Sequence, residues 1–244
     1  MLTIEELRER RAFECRLTPD RTLESLDDAE EFLLDRGLLT RTADSALPSL
    51  FAACHEEPYA PSSPGFGQWP RTKYPWFGEL GARGYAILSV HRGKNLLVTP
   101  EVARLLDSLC RAELARHAED PLLRHLAEAG PSELEDLQVE LGLTPKELKR
   151  LRAPLERCGA LVSRSIVYEE PHRHTSLLSR WDQVFPERTA GGLAELVLRA
   201  VQAAVLAPER EVRRWFAWWE DGLVERLVDE GRLARPEPGW LTAS

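Results

Sequence analysis

Basic side chains recur along the segment PKELKRLRAPLER, where Lys146, Lys149, Arg150, Arg152 and Arg157 fall within thirteen positions, 145–157. On a helix, such a face could enter a DNA major groove, its cations meeting phosphates and a few reaching base edges. Arg164, His172 and Arg173 follow, where a wing would add to the contact. The same pattern also fits an ordinary solvated helix face in a protein-interaction module. A second cluster is His91-Arg92-Gly93-Lys94. Two cations and a histidine at a hairpin tip suit a backbone phosphate, and glycine permits close approach. A plain polar turn has the same composition.

Other chemistry finds less footing. Trp215, Phe216, Trp218 and Trp219 could stack on bases. Their helical spacing favours core or interdomain packing. GxSxG, P-loop, HExxH and GxGxxG patterns are missing from the sequence. His172 and His174 form an HxH on a turn without a carboxylate–cysteine set near them in sequence, so neither a metal nor a cofactor is expected. Asp27-Asp28 and Glu30-Glu31 lie on a solvated helix face and suggest no acid–base pair. Cys15, Cys54, Cys110 and Cys158 are far apart, with no CxxC. That argues against a structural zinc site or a disulfide scaffold and reads as four buried or incidental thiols.

The elements that must position these residues can be read from 244 positions, enough for one large domain or several small ones. A hydrophobic content of 43% can build real cores. The formal charge is -8, which argues against a general coat of positive charge for nucleic acid. The charge is unevenly spread, however. Residues 66–118 hold 8 basic and 4 acidic side chains, and residues 146–180 again hold 8 and 4. Residues 1–65 hold 7 and 14, and residues 119–145 hold 1 and 7. Contact with DNA would thus be confined to two basic segments. No apolar run is long enough for a membrane span, and charges fill the N-terminal segment MLTIEELRERRAFE where a signal peptide needs an apolar core. A cytoplasmic location is the expectation.

Thr3 and Glu6 form a capping box that opens a helix to about Arg16. A second helix covers about Leu23 to Arg36, ended by Gly37, and a short third fits 47–54. The proline-rich stretch 55–75 reads as a long loop carrying Tyr59, Phe66, Trp69 and Tyr74. YAILSV and LLVT flank the HRGKN turn as a hairpin, and a helix spans 100–118. From 121 onward the signals are clearest. PLLRHLAEA is one helix and SELEDLQVEL a second, with Ser132 and Glu135 as its capping box. The third, from Pro145, has Thr144 and Glu147 as its box and Leu148, Leu151 and Leu155 facing inward. Pro154 predicts a kink or an early stop. LVSRSIVY and TSLLSRW are strands around EEPHRH. Three short helices and a hairpin is the winged helix-turn-helix plan. GLAELVLRAVQAAV, EREVRRWFAWW, DGLVERLVDEG and RLARPEPGWLTA repeat that rhythm.

The tandem helix–turn–helix–wing rhythm, the wing end LLSRWDQVFP and the last unit's REVRRWFAWW resemble the AlkZ/YcaQ-like winged-helix proteins, with YAILSVHRGKNLLVTP similar to a stretch in shorter AlkZ-related proteins. The resemblance spans residues 23–244 in scattered pieces. It implies tandem winged helices lining a basic DNA channel and, in the founding members, removal of alkylated or crosslinked bases. Those glycosylases use a glutamine–apolar–glutamine motif. Gln68, Gln138, Gln183 and Gln202 include no pair two apart, so no catalytic residue carries over.

The expected fold is therefore mainly α with small β-wings, as tandem winged helix-turn-helix domains. The boundaries are 1–118 for an N-terminal helical domain with a hairpin, 119–188 for a winged helix and 189–244 for a C-terminal winged-helix-like domain. The expected function is binding of double-stranded DNA, with damaged or alkylated DNA among the targets the resemblance implies. The alternatives are a glycosylase of the AlkZ type and a protein–protein adaptor without nucleic acid.

Overall fold

The computed structural model describes residues 2–62, 66–170 and 172–244. It is mainly α, with small antiparallel sheets. Helix α1 (Ile4–Glu14) begins at the expected capping box of Thr3 and Glu6. Its Ile4 and Leu7, with Cys15, pack against Val205 and Leu206, far along the chain.

After a short 3-10 turn at Pro19–Arg21, most of the remaining elements fall into three groups of one order: helix, strand, helix, helix, strand, strand. The first comprises α2 (Leu26–Arg36), β1 (Leu38–Thr40), α3 (Leu50–Ala53), α4 (Trp76–Ala82), β2 (Ala86–His91) and β3 (Lys94–Val98). After the long α5 (Pro100–Arg116) comes the second: α6 (Pro121–Ala129), β4 (Ser132–Glu133), α7 (Leu134–Leu141), α8 (Pro145–Arg157), β5 (Leu161–Tyr168) and β6 (Arg173–Arg180). The short α9 (Trp181–Val184) leads to the third: α10 (Leu193–Ala204), β7 (Ala207–Pro208), α11 (Glu209–Val212), α12 (Leu223–Asp229), β8 (Leu233–Ala234) and β9 (Trp240–Ala243). The sheets are ordered β1-β3-β2, β4-β6-β5 and β7-β9-β8. Each first strand thus pairs with the returning strand of the later hairpin.

Several local expectations need correction. Ser132 and Glu135 form no capping box. Ser132 lies in β4 and its hydroxyl donates to the Gly130 carbonyl, while Glu135 accepts from the Thr175 hydroxyl at 2.5 Å. Pro154 does not stop α8, which runs on to Arg157. EREVRRWFAWW is helical only over Glu209–Val212. Trp215 and Phe216 beyond it are buried, so packing outweighs helix propensity there. A helix not expected from the sequence, Trp76–Ala82, follows the 55–75 stretch directly. Of the EEPHRH turn, Pro171 lies outside the described residues.

The cores cut across the three groups. One large cluster takes Leu88, Val90, Leu96 and Leu106 from the first part of the chain and Leu196, Val201, Trp215 and Leu241 from the last. The middle group has its own core of Leu122, Leu126, Leu137, Leu148, Leu155 and Leu178. A network beside α5 fastens the parts together. Asp107, 2% exposed, accepts from the Trp181 indole at 2.7 Å, the Thr189 amide at 2.9 Å and Arg111 Nε at 2.8 Å. Burial alone would raise the Asp107 carboxyl, but these donors outweigh it and hold the group below its ordinary value. Gly191 presses on the same helix. A β-carbon there would come within 2.4 Å of the Arg104 carbonyl, so no larger residue fits. Among the described residues no helix is long and apolar enough to cross a membrane.

Candidate nucleic-acid interface and the adjoining cleft

Helix α8 is built for one apolar and one basic face. Thr144 and Glu147 cap its start reciprocally, and Pro145 sits in the first turn, where no amide donor is needed. Leu148 and Leu155 are buried, which turns Lys146, Lys149, Arg150 and Arg157 outward, all exposed. Among the described residues none of these four has a carboxylate within ion-pair range, and the exposed Arg164 on β5 has none either.

Other expected contacts are held internally. Arg152 is half-buried and pairs with Glu156 at 3.2 Å, one turn on. Arg173 pairs with Glu133 at 2.9 Å and stacks over the Tyr168 ring at 4.7 Å. Both of these expected DNA contacts are already engaged within their own fold. His172 is exposed, its Nε2 3.2 Å from that of His174.

The hairpin tip differs from the sequence reading at one residue. The strands run inward to His91 and Lys94, leaving Arg92 and Gly93 as the turn. His91 is fully buried. Its Nε2 lies 3.3 Å from Ser45 Oγ, and Nδ1 has no hydrogen-bond partner among the described residues. Burial pushes its pKa down to about 4, although the facing Trp215 backbone works the other way. A neutral, enclosed imidazole cannot meet a phosphate as a cation, so His91 leaves the interface. Lys94 remains exposed but is held by Asp44 at 2.6 Å. Arg92 is exposed and, among the described residues, its side chain donates only to the Asp44 carbonyl, at 3.3 Å.

The two basic segments meet. Helix α8 packs against β2, and β2 in turn touches β5. A β-carbon on Gly93 would stand 3.0 Å from Arg157 Cδ, so the end of α8 lies against the hairpin tip. Sequence alone gave no sign of this adjacency, because it joins elements on either side of α5.

A cleft of about 530 Å³ opens beside the same tip. Thr40, Arg41, Gln68, Trp69, Lys94 and Asn95 are among its lining. Arg41 was missed by the sequence reading. Its guanidinium lies 5.2 Å from the centre of the Trp69 ring and 4.7 Å from that of Phe77. Its Nε is buried without a hydrogen-bond partner among the described residues, and burial lowers its pKa. The trace it leaves in the sequence is slight, an arginine two residues after the apolar pair Leu38-Leu39. The tryptophans, by contrast, go largely to packing: Trp215 and Phe216 are in the large core, with Trp218 and Trp219 against it.

No family model, no curated protein and no solved structure matches the chain.

Proposed function

We propose that this chain is a DNA-binding protein of tandem winged-helix type, with α8 as the helix that enters the major groove. The thrice-repeated order of helix, strand, helix, helix, strand, strand and the common strand order support reading each group as a winged helix. The observation that carries the DNA reading is the contact of Arg157 with Gly93. It joins the uncommitted cations Lys146, Lys149, Arg150, Arg157 and Arg164 to Arg92 across two units. Phosphates are the natural partners of such a set, and arginine forks are suited to them. The acidic remainder of the chain would confine DNA to this face.

The test is titration of the full chain against duplex DNA at several salt concentrations. Affinity falls steeply as salt rises if phosphate contacts release counterions. No binding at low salt, or a flat salt dependence, rejects the proposal in favour of a protein–protein adaptor.

A second reading is a glycosylase like those of the AlkZ/YcaQ-like proteins, acting on alkylated DNA. The cleft beside the hairpin favours it, with Gln68, Trp69 and Arg41 in its lining, the Arg41 Nε having no hydrogen-bond partner among the described residues. Incubation with an oligonucleotide carrying N7-alkylated guanine, followed by cleavage at abasic sites, decides it. Product at background level rejects it.

A further inference from the structure

The C-terminal ends of α5 and α8 bring together three metal-ligating side chains that no part of the DNA reading uses. Glu113 and His117 are four residues apart and so share one face of α5 as the helix ends. Cys158 caps α8 opposite them. One donor atom from each lies within 4.8 Å of the other two. Glu113 is buried, 5% exposed. Its Oε1 accepts from Arg116 at 2.8 Å, which fixes the carboxylate. Its Oε2 stands 3.7 Å from His117 Nε2, too far for a hydrogen bond. Two donors on one tetrahedral ion, with bonds of about 2.0–2.3 Å, stand roughly 3.3–3.8 Å apart. A second thiol lies behind the first. Cys110 is one turn before Glu113, and a β-carbon on Gly159, the residue after Cys158, would come 2.4 Å from its Sγ. Carboxylate, imidazole and thiol together suit a borderline ion such as Zn²⁺ and not Mg²⁺ or Ca²⁺, which take oxygen donors.

We propose that Glu113, His117 and Cys158 form a site for Zn²⁺ or a similar divalent transition metal, its fourth position open to solvent on the His117 side. Binding exchanges the thiol proton of Cys158 for the ion and releases that proton to solvent. The ion would fasten the end of α8 to α5, and so fix the basic helix relative to the large core.

The test uses the reduced full chain and Co²⁺, whose bond to a thiolate gives near-ultraviolet charge-transfer absorption. The expected result is saturation at one equivalent per chain and displacement by Zn²⁺. Cys158→Ser abolishes the absorption. His117→Ala weakens binding roughly 10-fold or more. Cys54→Ser, in a separate core, leaves it unchanged. Zn²⁺ raises the Tm of the native chain, and raises that of His117→Ala by less at the same concentration. No absorption in the native chain, or absorption that survives Cys158→Ser, overturns the proposal. If Cys158→Ser does not fold, His117→Ala decides, because that side chain is 41% exposed. Unchanged Co²⁺ affinity in it overturns the site.

Discussion

Arg157 lies across Gly93, so the last residue of α8 rests on the tip of a hairpin from a different unit. Gly93 has φ +73°, a conformation that costs a residue with a β-carbon about 1 kcal/mol. Gly93→Ala should therefore lower stability by about that much, read from the urea midpoint. The added carbon also presses on Arg157, so DNA affinity should fall together with stability. Unchanged affinity would separate the hairpin tip from the interface.

Alanine at Lys149 or Arg150 should act differently. Both side chains are exposed and without a carboxylate partner among the described residues, so stability should change by no more than about 0.5 kcal/mol. Each loss of a phosphate contact should reduce the slope of log affinity against log salt by about 1. Arg173→Ala, by comparison, should leave the slope intact, because Arg173 is engaged with Glu133 and Tyr168. The measurement is binding to one duplex over a salt series.

His91 sets a pH dependence of stability. Its folded pKa is near 4 against an ordinary 6.5, so the unfolded chain takes up the proton first. Stability contributed by the neutral imidazole is complete above pH 6.5 and drains away as pH falls toward 4. The full loss is about 3 kcal/mol. Urea midpoints from pH 7.5 to 4.5 should show it, and His91→Gln should flatten that part of the curve. Equal acid sensitivity in the variant would locate the effect elsewhere.

Asp107→Ala should be among the most damaging single changes. It strands the Trp181 indole and the Thr189 amide and leaves the half-buried Arg111 without its carboxylate. Breaking such a buried pair costs roughly 3–5 kcal/mol. Thermal unfolding monitored by tryptophan fluorescence measures it. A loss below about 1 kcal/mol would show that the α5 network is not what binds the 185–191 segment.

Legibility followed the range of the interaction. Thr3 with Glu6 and Thr144 with Glu147 are contacts across three residues, and both helices start where these pairs put them. Of the three leucines expected to face inward from α8, Leu148 and Leu155 are buried, whereas Leu151 is only half-buried. The strands β1, β4 and β7 escaped notice. They are two or three residues long, and each is defined only by pairing with a hairpin strand much later in the chain. His91 looked like a surface turn residue because its neighbours are Arg92 and Gly93. It faces Ser45 and the Trp215 backbone, both far from it in sequence. Arg41 and the Glu113–His117–Cys158 trio stayed hidden for the same reason.

The division of the cores also bears on the order of assembly. Leu122 to Leu178 make a nucleus from near neighbours, whereas the large core must close a loop from Leu106 to Leu196 around it. Closing long loops is slow, and local contacts form first. The middle unit is thus gripped within a clasp that also takes in its Val162: its own leucines make the more local contacts, while the two arms that flank it must find one another. Amides of α6 to α8 should gain protection from exchange before those of α10 during refolding.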